Sequence, residues 1–274
     1  MTRQATMGSI AAVLLSVCLC AWAQTSSKAR IRAFAQLPDW SGLWEWDVFA
    51  GLADGQQLSR EGGRKAAAYF AATTPTFNPA WQPKYDQVLK SLAAAVAADP
   101  NLPPSTHTPC EAPSFPATAR PGIFEWLVMP EETTLVTSLG SVRHIYTDGR
   151  THPPKEELWP TKMGDSVGRW EGDTLVVDTV ATKPVLSQFV HGFFMISVPM
   201  SDQLHFVERI RMVSRSEMQI QLTADDPIAL AKPMNVTLTY ERITDINRMS
   251  DEYDCDPATE RNPVVNGRFE TIVH

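Results

Sequence analysis

Two stretches of this chain carry side chains that could move a proton. In Arg143-His144-Ile145-Tyr146-Thr147-Asp148-Gly149-Arg150-Thr151-His152-Pro153, a strand runs into an Asp-Gly turn that presents Arg150 and His152. Val142, His144 and Tyr146 share one strand face. A His beside an Asp can serve as a general base whose tautomer the carboxylate fixes. The competing assignment is an Asp capping its own turn, an Arg on a carboxylate and a surface His. In the second stretch, two-residue alternation puts Leu204, Phe206, Glu208, Ile210 and Met212 on one face. His205, Val207, Arg209, Arg211 and Val213 fall on the other. The first face is apolar apart from Glu208, so the pattern turns a carboxylate inward. There it must pair with a cation or take up a proton, because unpaired burial of charge is costly.

Arg242 ends the row Val236, Leu238, Tyr240, Arg242 and is the expected partner of Glu208. The competing assignments are a structural Glu–Arg pair that closes the barrel, or Arg242 stacked on Trp44. The chemistry these residues suit is cofactor-independent proton transfer, as in a lyase, isomerase or hydrolase. Glu208 or His205 would be the base, while His144, Asp148 and Arg150 would stabilise developing charge. Tyr146, Trp170, Phe206, Tyr240 and Arg242 are the expected substrate contacts. His144, His152, His205, Asp148 and Glu208 are metal-ligating types, but no HxH or HExxH spacing joins them, so no metal is expected. No GxSxG, Walker loop, GxGxxG or CxxCH is present, and no cofactor is expected either.

Strands must position these groups. Trp40, Trp44 and Trp46 alternate around Gly42 at the first strand. From Ile123 onward short strands recur at 123–129, 133–139, 142–147, 166–171, 173–179, 192–198, 203–213, 217–223 and 235–243. The Glu171-Gly172-Asp173 segment predicts a tight hairpin. Strands at this spacing predict a mainly β protein, an antiparallel lipocalin-like barrel with an N-terminal helical arm. The arm rests on the stripe Tyr85, Val88, Leu89, Leu92 and Val96 between Pro83 and Pro100, with an earlier helix over Arg60 to Ala72. The division expected is a signal peptide at 1–23, a flexible leader at 24–37, and the first strand with arm and Pro-rich crossing at 38–122. The barrel body follows at 123–256, and a C-terminal tail at 257–274.

The signal reading rests on Arg3, the apolar run from Ile10 to Leu19, and the Ala21-Trp22-Ala23 cleavage pattern. No other segment reaches transmembrane length. A net charge of −7 with scattered cations argues against nucleic acid and anionic membrane surfaces. Beyond the signal two cysteines remain, Cys110 and Cys255. In an oxidising compartment they are expected to bridge, closing a loop of about 145 residues worth roughly 4–5 kcal/mol. The alternative is two free thiols.

The motifs fall in a recognisable order. Trp40-Ser41-Gly42-x-Trp44 comes first, and then the Arg143–Pro153 segment. Gly164-Asp165-Ser166-x-Gly168-x-Trp170-Glu171-Gly172-Asp173-Thr174-Leu175-Val176-Val177-Asp178-Thr179 follows, with Leu204-His205-x-Val207-Glu208-Arg209, Asp226-Pro227 and Cys255 after it. This order resembles a large family of exported bacterial proteins of mostly unassigned function, over most of residues 38–256. The Gly-x-Trp of the first strand is similar to the lipocalin signature. The resemblance implies a periplasmic or secreted lipocalin-like barrel. The expected partner is a small hydrophobic or aromatic ligand, which the protein either transforms or, in the alternative, carries unchanged as a binding protein. A third possibility is an envelope interaction module with a filled barrel.

Overall fold

The structure, a computed structural model, describes residues 31–47, 74–98, 115–116, 123–138, 140–190 and 194–245, with 29, 64, 249, 264–265 and 268–269 besides. The expected signal segment, the helix from Arg60 to Ala72, and the Cys110–Cys255 pair lie outside them, Arg64 excepted.

The architecture is mainly β. The named elements are β1 (Leu43–Trp46), α1 (Gln82–Ala98), β2 (Ile123–Val128), β3 (Glu132–Thr137), β4 (Val142–Tyr146) and β5 (Asp165–Glu171). After these come β6 (Thr174–Val180), β7 (Val185–Val190), β8 (Phe194–Pro199), β9 (His205–Met212), β10 (Glu217–Asp225) and β11 (Met234–Arg242). Nine strands close into a barrel in the order β1-β11-β10-β9-β6-β5-β4-β3-β2, β1 pairing with β2. The β7–β8 hairpin pairs only with itself and stands apart from that sheet.

The expectation of a wholly antiparallel barrel is corrected at one seam. β4 and β5 run parallel, with Tyr146 opposite Val167. Residues 147–164 do not fold into a hairpin after Asp148-Gly149. They cross the barrel wall through Pro153, Pro154, a 3₁₀ turn at Lys155–Glu157 and Pro160, and so bring β5 in along the direction of β4. Parallel neighbours need such a crossover. By contrast, the β5–β6 hairpin turns in two residues as predicted, with Gly172 at φ +67° in the first central position.

Inward residues follow the period of two. Trp44, Trp46, Phe124, Trp126, Leu135, Ile145, Leu175, Val177, Ile210, Met218, Ile220, Leu238 and Tyr240 join Trp40 in one buried cluster. Trp40 meets Trp126 at 5.6 Å and Trp170 at 5.2 Å between ring centres, and its carbonyl accepts from the Trp44 indole at 3.0 Å. A second cluster gathers Phe77, Phe115, Val198, Met200, Leu204, Phe206, Leu222 and Leu230. Onto it α1 lays Tyr85, Val88, Leu89 and Leu92, the predicted stripe. The Trp81 indole donates to the Pro199 carbonyl at 2.8 Å and ties the start of the helix to β8.

One outward row works against the fold. Glu45 faces Glu241, and Glu241 faces Glu217, across β1, β11 and β10. Burial, then Glu241 and Asp245, raise the Glu45 carboxyl above its ordinary value. A raised carboxylate weakens the folded state while it is charged. Glu45→Gln is therefore expected to stabilise the protein at neutral pH by about 0.2–1 kcal/mol, at the low end because the site is half-exposed and salt-screened. The gain should fade as pH falls through the raised value of Glu45. Denaturant midpoints of both proteins across that range give the measurement, and a variant no more stable than its parent at neutral pH contradicts it.

Candidate functional site

Glu208 points inward as its strand pattern demands, with only 3% of the residue exposed. Its partner, however, is Arg143. The two form a fork-to-fork pair, Nη2 to Oε2 at 2.5 Å and Nη1 to Oε1 at 3.2 Å. Arg143 also donates to Ser166 Oγ from Nε and Nη2, at 3.3 and 3.2 Å, and to Thr179 Oγ1 at 2.8 Å. The Phe115 ring covers the guanidinium at 3.9 Å. This geometry holds the carboxylate in a closed ion pair. Arg242, the expected partner, instead lies over Trp44 at 4.4 Å and donates to the Arg215 carbonyl at 2.8 Å.

The other predicted residues scatter. His144 faces outward, its side chain 54% exposed, and shares a 2.5 Å bond with Glu132 through Nδ1. That bond, chiefly, holds the Glu132 carboxyl below its ordinary value. Asp148 and Arg150 pair with each other at 2.6 Å in the turn, and Arg150 keeps Asp148 low in the same way. Tyr146 receives the Arg150 guanidinium on its ring at 4.0 Å. Trp170, Phe206 and Tyr240 pack in the interior, Phe206 edge-on to Phe115 and Tyr240 edge-on to Phe124. The ring of His205 is bonded to none of these side chains, but to Asp178.

What the fold does assemble is a line of His and Asp on the outer wall. The crossover lays His152 between β5 and β6, with Nδ1 at 2.5 Å from Asp165 Oδ1 and Nε2 at 3.0 Å from Asp178 Oδ1. Asp178 Oδ1 also receives His205 Nε2 at 2.9 Å, from the first residue of β9. Sequence reasoning singled out His152 and His205 but missed Asp165 and Asp178. Asp178 was visible as the one charged outward position in Leu175-Val176-Val177-Asp178-Thr179. Its meeting with His205 depends on the β6–β9 register, where Asp178 faces Val207, two residues from His205.

The two histidines line a cavity of about 710 Å³, a volume in the range of small-molecule sites. One wall is the crossover (Pro153, Lys155, Leu158, Pro160). The others are the end of β6 with its turn (Val180, Ala181, Thr182, Pro184) and the approach to β9 (Asp202, Gln203, Leu204). Lys155 and Asp202 pair across it at 3.1 Å. The groove lies outside the barrel, whose inward positions carry the aromatic cluster and the Arg143–Glu208 pair.

Local structure holds the groove open and fixed. Asp226 is fully buried and accepts from the Ser201 amide and hydroxyl at 2.7 Å each, and from the Ile228 and Ala229 amides. That anchors the loop entering β9. Gly164, at φ +71°, lets β5 begin against β6, because a Cβ there would sit 2.6 Å from the Val180 carbonyl oxygen. Ala181 lies in the wall at φ +52°, a conformation that a residue with a Cβ holds only under constraint. Its carbonyl accepts from the Thr161 amide at 3.0 Å.

The chemistry follows from the hydrogen positions. With Nε2–H donated to Asp178, the neutral His205 ring carries its lone pair on Nδ1, to which no group among the described residues bonds. A carboxylate-fixed imidazole with a free nitrogen is the arrangement of a general base. His152 faces a carboxylate at each nitrogen and donates to both only when doubly protonated. Among the described residues no group of three or more His, Cys, Asp or Glu is arranged to hold a metal ion, and no helix is long and apolar enough to cross a membrane. No family model, no curated protein and no solved structure matches the chain. The resemblance to exported bacterial proteins accordingly rests on its motifs alone.

Proposed function

We propose that the groove binds a small, partly apolar molecule and that His205 moves a proton on it without a cofactor. Nδ1 of His205 is the base, Asp178 fixes the ring and favours its charged form, and His152 with Asp165 holds Asp178 in place. The observation that carries this reading is the His152–Asp178–His205 line bordering a cavity of about 710 Å³. The apolar wall formed by Leu158, Val180, Ala181, Leu204 and three prolines supports an apolar or aromatic body for the ligand. The composition of residues 1–23 supports work outside the cytoplasm, in the periplasm or beyond. Gly42-x-Trp44, with Trp44 buried beneath Arg242, supports a lipocalin-like kinship for the barrel.

The test is deuterium uptake. The protein is incubated in heavy water with a panel of enolisable aromatic and aliphatic carbonyl compounds, and each compound is weighed by mass spectrometry. The expected result is uptake above the buffer rate for members that fit the groove, lost in His205→Gln while circular dichroism stays that of the parent. Uptake that survives His205→Gln removes the assignment. A compound that binds, protects His205 in NMR and returns unlabelled selects the alternative, a binding protein.

A further inference from the structure

The buried pair inside the barrel and the His–Asp line outside it sit back to back on the same three strands. Strand alternation makes this unavoidable. Asp165 points out of β5 and Ser166, the next residue, points in; Asp178 points out of β6 and Thr179 points in; His205 points out of β9, whose inward positions are Phe206 and Glu208. Register aligns them, Ser166 facing Thr179 and Thr179 facing Phe206 across the sheet. The three inward polar partners of Arg143 are Ser166, Thr179 and Glu208, one from each strand that carries an outer member. Ser166 and Thr179 also share a hydroxyl bond at 3.0 Å.

We infer that Arg143 is a positioning residue for the groove: one guanidinium sets the spacing of β5, β6 and β9 from within, and so the Asp165–His152–Asp178–His205 distances outside. The inference rests on the reading that this line is the working site. A guanidinium suits the task because its donors lie in one rigid plane and reach several acceptors at fixed angles. Phe115 above it excludes water, so those bonds have no solvent competitor. Were Arg143 present only to neutralise Glu208, the two hydroxyls would add nothing to the groove. Under the positioning role, removing either loosens the histidines without touching the ion pair.

The experiment labels the six histidines of the full chain with ¹⁵N, assigns their ring signals with His→Gln variants, and compares the parent with Thr179→Val and Ser166→Ala. In either variant the ring N–H signals of His205 and His152 are expected to move. Their exchange with solvent should quicken by about 3- to 10-fold, the effect of one lost hydrogen bond's worth of order. His144, whose bond to Glu132 involves none of the three strands, serves as the internal control and should stay fixed. Unchanged His205 and His152 signals in two folded variants overturn the inference and leave Arg143 a stabilising role only. Should Thr179→Val fail to fold, Ser166→Ala decides. Should both fail, Arg143→Lys decides, because it keeps the charge on Glu208 and removes the fork. These signals report geometry whatever the groove does, so a failure of the proton-transfer reading in heavy water would show separately and leave the coupling of Arg143 to the histidines intact.

Discussion

Arg143→Leu is expected to cost the fold about 3–5 kcal/mol, the largest stability loss of any single change considered, because it strands the Glu208 carboxylate in a dry interior. The side chains of the pair are 2% and 4% exposed, and among the described residues no other cation bonds to Glu208. The loss should come from abandonment of the carboxylate, not from disappearance of an attraction. Arg143→Leu combined with Glu208→Leu therefore separates the two causes. Replacing a whole buried pair with apolar groups is often neutral or stabilising, so the double variant should recover most of what the single one loses. Ser166 and Thr179 retain each other at 3.0 Å in that variant, which limits the unsatisfied groups left behind. Denaturant unfolding of parent, single and double variants measures this directly. A single variant within about 1 kcal/mol of its parent, well below the range for a broken buried pair, would contradict the argument.

Much of the barrel was legible because it depends on local alternation. Leu204 to Met212 states its own inward face, and Glu208 lies where that face puts it. The helix stripe Tyr85, Val88, Leu89 and Leu92 packs as its spacing requires. Gly172 turns where a two-residue hairpin needs it. What failed was everything that depends on which strands become neighbours. Arg242 and Arg143 are equally plausible partners for Glu208 in one dimension; the β4–β5 and β6–β9 contacts decide for Arg143. The inward orientation of Arg143 was itself implicit, since it alternates with His144 and shares the face of buried Ile145. The parallel seam was hidden because Asp148-Gly149 reads as a hairpin turn, whereas Pro153, Pro154 and Pro160 carry the chain onward instead. The β7 strand over Val185–Val190 was not predicted at all. The groove needed all of these at once: a crossover, a register and two outward aspartates with no motif spacing.

The same division between inside and outside governs the second large effect. Asp178→Asn should lower the deuterium uptake catalysed in the groove by about 10²- to 10⁴-fold, the usual worth of a positioned general base. Asparagine keeps one carbonyl oxygen toward the two Nε2 atoms but loses the negative charge that holds His205 with its hydrogen on Nε2 and stabilises the imidazolium formed in the reaction. It also brings an amide donor that competes for the same nitrogens. The fold should scarcely respond. The Asp178 side chain is 41% exposed, and exposed ion pairs contribute about 0–1 kcal/mol each. Asp178→Asn is thus expected to melt close to its parent and work poorly. The Arg143→Leu, Glu208→Leu double variant should likewise fold, and it lowers uptake only as far as the strands that carry Asp178 and His205 drift apart. Equal activity in Asp178→Asn and the parent, at equal stability, would mean that His205 needs no carboxylate behind it. The groove would then be left with binding as its task, because an imidazole with neither a fixed tautomer nor a charge partner has no advantage over one free in water.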